Sequence, residues 1–193
     1  MKIGCVLMAA GSGSRFGCNK LAAMYKGRPL YAHALSVIPD DEFFEVAVVT
    51  QYDEIKLMAE RMGFTVIINR APEDGISRTI GLGLSELIKN GADAAMFLVC
   101  DQPRLTKSSV KRVLARFREH PDRIVALGHE ARRGNPAVFP SAYFDKLLSL
   151  ESDAGGSEII RRHPDALKLC QAEDEAELFD VDSALELDRL KTI

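Results

Sequence analysis

The chain has no apolar run approaching the ~18 residues that a membrane-spanning helix requires. It also has no basic stretch followed by an apolar one of the kind that directs secretion. A cytoplasmic protein with no membrane partner is therefore expected. The four cysteines, Cys5, Cys18, Cys100 and Cys170, are scattered without a C-x-x-C pair, which reads as reduced thiols rather than disulfides or a zinc site. The four histidines show no metal-ligand spacing either. Lys and Arg form no run, and the formal net charge is only -3, which argues against a nucleic-acid surface. Repeats, linkers and low-complexity tracts are missing. So is any nucleophile in a reactive setting: there is no G-x-S-x-G elbow and no cysteine with a neighbouring base. What is present is a chain of 193 residues, 47 % of them apolar, enough for one domain (residues 1–193) with a real core.

Short apolar runs alternate with stretches of helical periodicity. Residues 3–8, 45–50, 64–68, 94–100 and 124–127 read as strands, and the unbroken apolar character of the strongest runs marks burial on both faces. Residues 136–139 read as a short extended piece and 167–170 as a further strand. Helices are expected over 29–37, from a cap at Asp53 to a stop at Gly63, and over 77–89, 106–119, 142–150, 157–162 and 183–190. Gly81 and Gly83 count against the helix at 77–89 unless it packs closely on a neighbour. The acidic patch at 173–175 is expected to be a solvated loop. Alternation of this kind implies an α/β fold in three layers, Rossmann-like, with a mostly parallel sheet covered by helices on both faces.

The first turn carries the most distinctive chemistry. Between Met8 and Lys20 lie three glycines (Gly11, Gly13, Gly17), two serines and two cations, Arg15 and Lys20. Glycines allow close approach of the backbone to a ligand. Successive amides form an anion nest, and the cations add charge, so the turn suits a polyphosphate. It is not a Walker A loop, because Lys20 stands between Asn19 and Leu21. It is not a dinucleotide fingerprint either: counted from Gly11, the sixth position is Phe16. Asp101-Gln102-Pro103 directly follows the most apolar run. A carboxylate at a strand's carboxyl end, beside a phosphate loop, suits Mg²⁺, which takes one or two carboxylates together with water and substrate phosphates. Asp180 and Asp182 flank Val181 near the end of the chain. They are expected to point apart, one facing the site and the other capping or pairing. Without a nucleophile, a reaction that needs only positioning and charge neutralisation fits best, as in phosphoryl or nucleotidyl transfer.

These motifs together resemble a known family. Ala9-Ala10-Gly11-x-x-x-Arg15-x-Gly17-x-x-Lys20-Leu21, followed by Gly27-x-Pro29-Leu30, is similar to the opening of nucleotidyltransferases with a sugar-nucleotide (nucleotide-diphospho-sugar) pyrophosphorylase-like fold. Asn69 with Gly75-x-Ser77, Leu98-x-x-Asp101-Gln102-Pro103, the stretch from Arg133 to Phe139 through Gly134-Asn135-Pro136, and Phe179-Asp180-Val181-Asp182-Ser183 resemble the molybdenum-cofactor cytidylyltransferase branch (MobA- and MocA-like). The resemblance implies that Met8, Ala9, Ala10 and Gly11 line base and ribose, and that Arg15 and Lys20 hold the triphosphate. It implies that Asn69, Gly75 and Ser77 lie over the base and that Asp101 and Asp182 share Mg²⁺. Arg15, Lys20 and Asp101 would be catalytic. Gln102, Arg133, Asn135 and Pro136 would face the acceptor.

The activity so implied is transfer of CMP from CTP to a molybdopterin-type cofactor, with a molybdoenzyme apoprotein as a possible further partner. GTP as donor, a sugar phosphate or other phosphate as acceptor, and a non-catalytic cofactor-binding role are the alternatives. Departures fall on the acceptor side. The branch has Gly-Asp-x-Gly-Ala-Arg where this chain has Ser152-Asp153-Ala154-Gly155-Gly156-Ser157, so an arginine is replaced by Ser157. Arg161 and Arg162 are the expected substitutes.

Overall fold

A computed structural model describes residues 1–11 and 19–192. In chain order its elements are β1 (Ile3–Ala9), β2 (Met24–Tyr25), β3 (Arg28–Pro29), α1 (Leu30–Ser36), β4 (Glu45–Thr50), α2 (Asp53–Arg61), β5 (Thr65–Ile68) and α3 (Ile76–Lys89), followed by β6 (Ala94–Val99), α4 (Lys107–Glu119), β7 (Ile124–His129), β8 (Arg132–Pro140), α5 (Phe144–Leu148), α6 (Gly156–Arg162), β9 (Leu167–Gln171) and α7 (Ala184–Thr192). Seven strands form one sheet in the order β5-β4-β1-β6-β8-β7-β9, and β2 pairs with β3 separately. β1 pairs parallel with β4 and β6, β4 with β5, and β7 with β9. Within the seven-stranded sheet of the described residues β8 alone runs antiparallel to its neighbours, so that sheet is mostly parallel, as expected.

The apolar runs explain the layering. Along β1, Ile3, Cys5, Leu7 and Ala9 pack on one face against α1, α2 and α4, while Val6 packs on the other face against α3, α5 and α6. β6 divides its residues in the same way, with Met96 and Leu98 on one side and Phe97 on the other. This is the period-2 alternation of a strand buried on both faces. Each fully buried Leu or Phe contributes ~2 kcal/mol of transfer free energy. A third, smaller cluster joins Tyr25 and Leu30 to Val181, Leu187 and Leu190, and so docks α7 beside the β2–β3 ribbon.

Several expected boundaries shift. Asp53 is the first residue of α2 rather than its cap; Tyr52 holds that position and its side chain does not cap the helix. The piece expected at 136–139 is a nine-residue strand, β8. Its polar first half, Arg132 to Asn135, has no strand pattern of its own. Pairing with β7, as in Gly128 opposite Arg133, makes it extended. The helix expected at 142–150 is a 3₁₀ turn followed by the short α5. The acidic patch is not merely solvated: Asp174 caps a 3₁₀ turn and pairs with Arg104, Glu173 pairs with Arg112, and Glu175 with Arg132.

Candidate functional site

The strand order reverses beside β1: the chain moves outward through β4 and β5, then returns to β6 on the other side. Ligands of open α/β sheets bind at the carboxyl ends flanking such a switch point. A cavity of about 240 Å³ lies there, lined by Met8, Ala10, Gly11, Lys20, Leu21, Pro72, Gly75, Ile76, Thr79, Val99, Cys100, Asp101 and Asp153.

Its floor is the end of β1, and three successive residues of the neighbouring strand end hold that floor in place. Thr50 Oγ1 donates to the Ala9 carbonyl at 3.0 Å, Gln51 Nε2 to that of Ala10 at 2.8 Å, and Tyr52 Oη to that of Gly11 at 2.8 Å. A peptide's N–H points opposite to its C=O, so the amides of Ala10 and Gly11 point away from β4. Nothing lies within 4 Å of where a Gly11 Cβ would stand. The role of Thr50, Gln51 and Tyr52 as tethers comes from strand pairing, which no local sequence pattern shows. Ala9 itself is fully buried in the core, outside the cavity lining. Residues 12–18, and with them Arg15, Gly13, Gly17 and Cys18, lie outside the described residues.

On the opposite wall Lys20 stands between two carboxylates. Asn19 Oδ1 accepts from the Leu21 amide at 3.0 Å and so caps a one-turn 3₁₀ helix over Lys20–Ala22, while Leu21 anchors it in the core. From that turn Lys20 Nζ reaches Asp101 Oδ2 at 2.9 Å and Asp182 Oδ1 at 3.0 Å, with side chains 16 %, 22 % and 55 % exposed respectively. Burial pulls the Lys20 ammonium down, but Asp101 and Asp182 outweigh it and hold the group above its ordinary value. It is a permanent cation here.

Asp180 pairs with Gln102 while Asp182 meets Lys20, as expected of one carboxylate at the site and the other pairing, but the two do not point apart: Asp180 also lies near this cluster. Positions i and i+2 of an extended segment share a face, and Val181 points the other way into the core. Asp180 Oδ1 accepts from Gln102 Nε2 at 2.8 Å. Burial, then the nearby Asp101, push its carboxyl up to about 6, against the opposing pull of the Gln102 hydrogen bond. Asp182 is steadied by the start of α7. Its amide donates to Glu186 Oε2 at 2.9 Å, and Ser183 Oγ accepts from the Glu186 amide at 3.2 Å, a reciprocal cap. Cys100, although in the cavity wall, is pushed upward by burial and remains a thiol rather than a nucleophile.

The far wall is the start of α3. Gly75 has φ +91°, and a Cβ there would run into the Ser152 carbonyl. That carbonyl in turn accepts from the Ser77 amide at 3.1 Å. The 151–155 segment is thereby braced over α3, with Asp153 in the cavity lining. Gly75 lines the cavity, whereas Ser77 and Asn69 do not. Ser77 sits on the opposite side of the helix, and Asn69 is 1 % exposed with its amide used internally. Asn69 Nδ2 donates to Thr79 Oγ1 at 3.2 Å, and its Oδ1 accepts from Arg78 Nε at 3.1 Å and from the Ala71 amide at 3.1 Å. Ile76, Thr79 and Pro72 were not expected in the site, and Asp153 was noted only within the 152–157 motif. Helical periodicity from Ile76 to Thr79 was the signal available for the first two.

A second cavity of about 80 Å³ adjoins the first and shares Met8, Ile76 and Val99 with it. Its walls are mostly apolar, with Phe97, Phe139, Ile80 and Ile160 among them, and Arg133, Asn135 and Ser157 also line it. Burial lowers Arg133 from its usual value, and among the described residues its guanidinium is without a hydrogen-bond or ion-pair partner. Of the four expected acceptor residues, Arg133 and Asn135 line this cavity. Gln102 and Pro136 are buried and line neither. Arg161 and Arg162 do not replace the arginine missing at Ser157. Both project from α6 into solvent and pair with Glu158.

A cavity at the switch point of a mostly parallel sheet with one reversed strand, lined by the end of β1 and by Lys20 and Asp101, is a ligand site of the α/β nucleotide-binding kind. Residues 5–167 match the MobA-like NTP transferase domain, and the chain belongs to that family. Among curated relatives it is 24 % identical to the purine catabolism protein PucB of Bacillus subtilis strain 168, over 96 % of this chain and 94 % of that protein. It is 30 % identical to the molybdenum cofactor guanylyltransferase of Rhodobacter capsulatus, over 62 % of each. Among solved structures, Rv0371c of Mycobacterium tuberculosis H37Rv superposes with a TM-score of 0.82 at 18 % identity, covering 100 % of this chain and 99 % of that one. The same protein's complex with manganese superposes with a TM-score of 0.75 at 19 % identity, again covering 100 % and 99 %.

Proposed function

We propose that this nucleotidyltransferase moves CMP from CTP to the terminal phosphate of a molybdopterin-type cofactor and releases pyrophosphate. The observation that carries the reading is the convergence of Asp101 and Asp182 on one cation, Lys20 Nζ, beside a cavity floored by the Ala10 and Gly11 amides. The Rhodobacter relative named for the same cofactor supports the acceptor. That relative also keeps GTP open as the donor.

The donor set suits Mg²⁺. Two hard oxygen ligands meet at one point, and among the described residues no group of three or more His, Cys, Asp or Glu side chains could hold a metal alone, so substrate phosphates would complete the shell. When bound, Mg²⁺ supplies charge neutralisation on the triphosphate; the manganese complex of Rv0371c is in keeping with a divalent cation. The chain's own groups bind and orient. The floor amides and Lys20 hold the phosphates, and the wall from Gly75 to Thr79 covers the base. The acceptor phosphate, already an anion near neutral pH, attacks the α-phosphorus in line. A new P–O bond forms to it, the α–β bridging P–O bond breaks, and the electron pair leaves with pyrophosphate. No strong general base is needed.

A second reading keeps the chemistry and changes the acceptor to another phosphate-bearing compound. The small, largely apolar second cavity favours it, since a polar pterin ring system would find only Arg133, Asn135 and Ser157 as polar side-chain partners there. Pyrophosphate release measured with each of CTP, GTP, ATP and UTP, with and without molybdopterin-type cofactor, decides between them. Release that needs both CTP and the cofactor is expected. Release with CTP and a different phosphate ester alone would overturn the acceptor, and release with GTP alone would overturn the donor.

A further inference from the structure

Gln102 directly follows Asp101 yet faces neither cavity. It is 3 % exposed. Its Nε2 donates to Asp180 Oδ1 at 2.8 Å, and its Oε1 is buried with no hydrogen-bond partner. Its backbone is fixed in a turn, its carbonyl accepting from the Leu105 amide at 3.2 Å. One residue earlier, the Asp101 carbonyl accepts from the Val181 amide at 2.9 Å. Segments 101–102 and 180–181 are therefore joined twice, once through backbone and once through the Gln102 side chain. The two joints differ in what they constrain. The backbone bond and the buried Val181 side chain fix where the segment sits. The Gln102 bond, one residue earlier at Asp180, adds a side-chain constraint on its rotation. Asp101 and Asp182, which flank the joined residues, are the carboxylates that such a rotation would move relative to each other.

Packing does not account for an amide at this position. A methionine would fill a similar volume with no buried polar atom, whereas Gln102 leaves Oε1 unpaired at a cost in stability.

We propose that Gln102 is a positioning residue for the divalent-cation site: by holding Asp180 it sets the twist of segment 180–182, and with it the separation of the Asp101 and Asp182 carboxylates. The inference rests on the metal reading given above. Loss of a group that orients a metal ligand lowers metal affinity or activity by about 10–100-fold.

The test is Mn²⁺ uptake by the full chain, followed by electron paramagnetic resonance of the free ion, with folding checked by circular dichroism in EDTA. Gln102→Met keeps length and volume but cannot donate. It should raise the Mn²⁺ dissociation constant about tenfold or more and raise the Mg²⁺ concentration needed for turnover in parallel. Excess Mg²⁺ should restore kcat, with KM for the nucleotide unchanged at saturating metal. A merely structural defect would not be restored by metal. Asp180→Asn keeps an oxygen for Gln102 Nε2 and adds an N–H that can reach Oε1, so its Mn²⁺ affinity should stay within about twofold of wild type. If Gln102→Met does not fold, Asp180→Ala cuts the same bond from the other end and must show the same loss. Wild-type Mn²⁺ affinity in the folded variant that lacks the bond overturns the proposal. So does an equal loss in Asp180→Asn, which would mean that the Asp180 charge itself is needed. A wild-type chain that takes up no Mn²⁺ overturns the metal reading, and this inference with it.

Discussion

Lys20 holds two carboxylates that would otherwise repel each other across the mouth of a cavity suited to an even more negative ligand. The ammonium is three-quarters or more enclosed and bonded on two sides, so its charge is only weakly screened by solvent. In the reaction proposed above, the same group would turn toward the phosphates of an entering triphosphate, and the energy of that exchange would be available to the transition state. Asp101→Asn keeps the shape and removes the charge. The expected result is a fall in kcat of roughly 10²–10³-fold with the thermal midpoint little changed. Lys20→Ala should both raise KM for the nucleotide and lower kcat, because the charge it meets grows along the reaction. Steady-state pyrophosphate release on both variants checks this; near-normal kcat in Asp101→Asn with Mg²⁺ would remove Asp101 from the metal site.

At the scale of elements, the site depends on how closely α3 lies on the sheet. Gly83 faces β1 and β4: a Cβ there would collide with the Val6 side chain and stand 3.0 Å from Val49 Cγ2. Gly81 has nothing within 4 Å of its Cβ position. The two glycines that weaken the helix pattern thus have opposite roles. Gly83→Ala should destabilise the protein by about 1–3 kcal/mol through overpacking and shift the α3 start that walls the cavity. Gly81→Ala should be neutral or stabilise by up to about 1 kcal/mol. Chemical denaturation of both variants settles the comparison, and equal effects would mean that α3 does not sit tightly on β1. The existence of this helix was legible from Ile80, Leu84 and Leu87 at helical spacing. Its permitted distance from the sheet was not, because that depends on which β residues lie beneath it.

At the scale of the whole molecule, the last segment closes the site opened by the first. Val181 is buried beside Tyr25 and Leu30, and Asp180 is drawn in with it until its carboxyl rises from 3.8 to about 6, first through burial and then through Asp101. A carboxyl raised on folding favours the folded state only while protonated. Its contribution is full below about pH 4, falls as pH rises to about 6, and is gone above that. In EDTA, the midpoint of wild type should therefore drop between pH 4 and 6 relative to Asp180→Asn, which lacks this titration. Parallel curves for the two proteins across that window would show that Asp180 ionises as an exposed carboxyl does.

The sequence by itself determined the layered α/β fold and the presence of carboxylates at Asp101 and Asp182. These follow from local pattern: unbroken apolar runs, and an acid at a strand end or before the last helix. Tertiary structure alone decided which side chains meet. It turned Thr50, Gln51 and Tyr52 into tethers for the β1 carbonyls, because parallel pairing sets those residues beside Ala9, Ala10 and Gly11. It took Asn69, Ser77 and Gln102 out of the cavity lining, since burial and helix phase are set by neighbours distant in sequence. It brought Asp180 in beside Asp101 and Asp182, because the 180–182 segment is positioned by a core contact at Val181 and by a hydrogen bond to a residue 78 positions away.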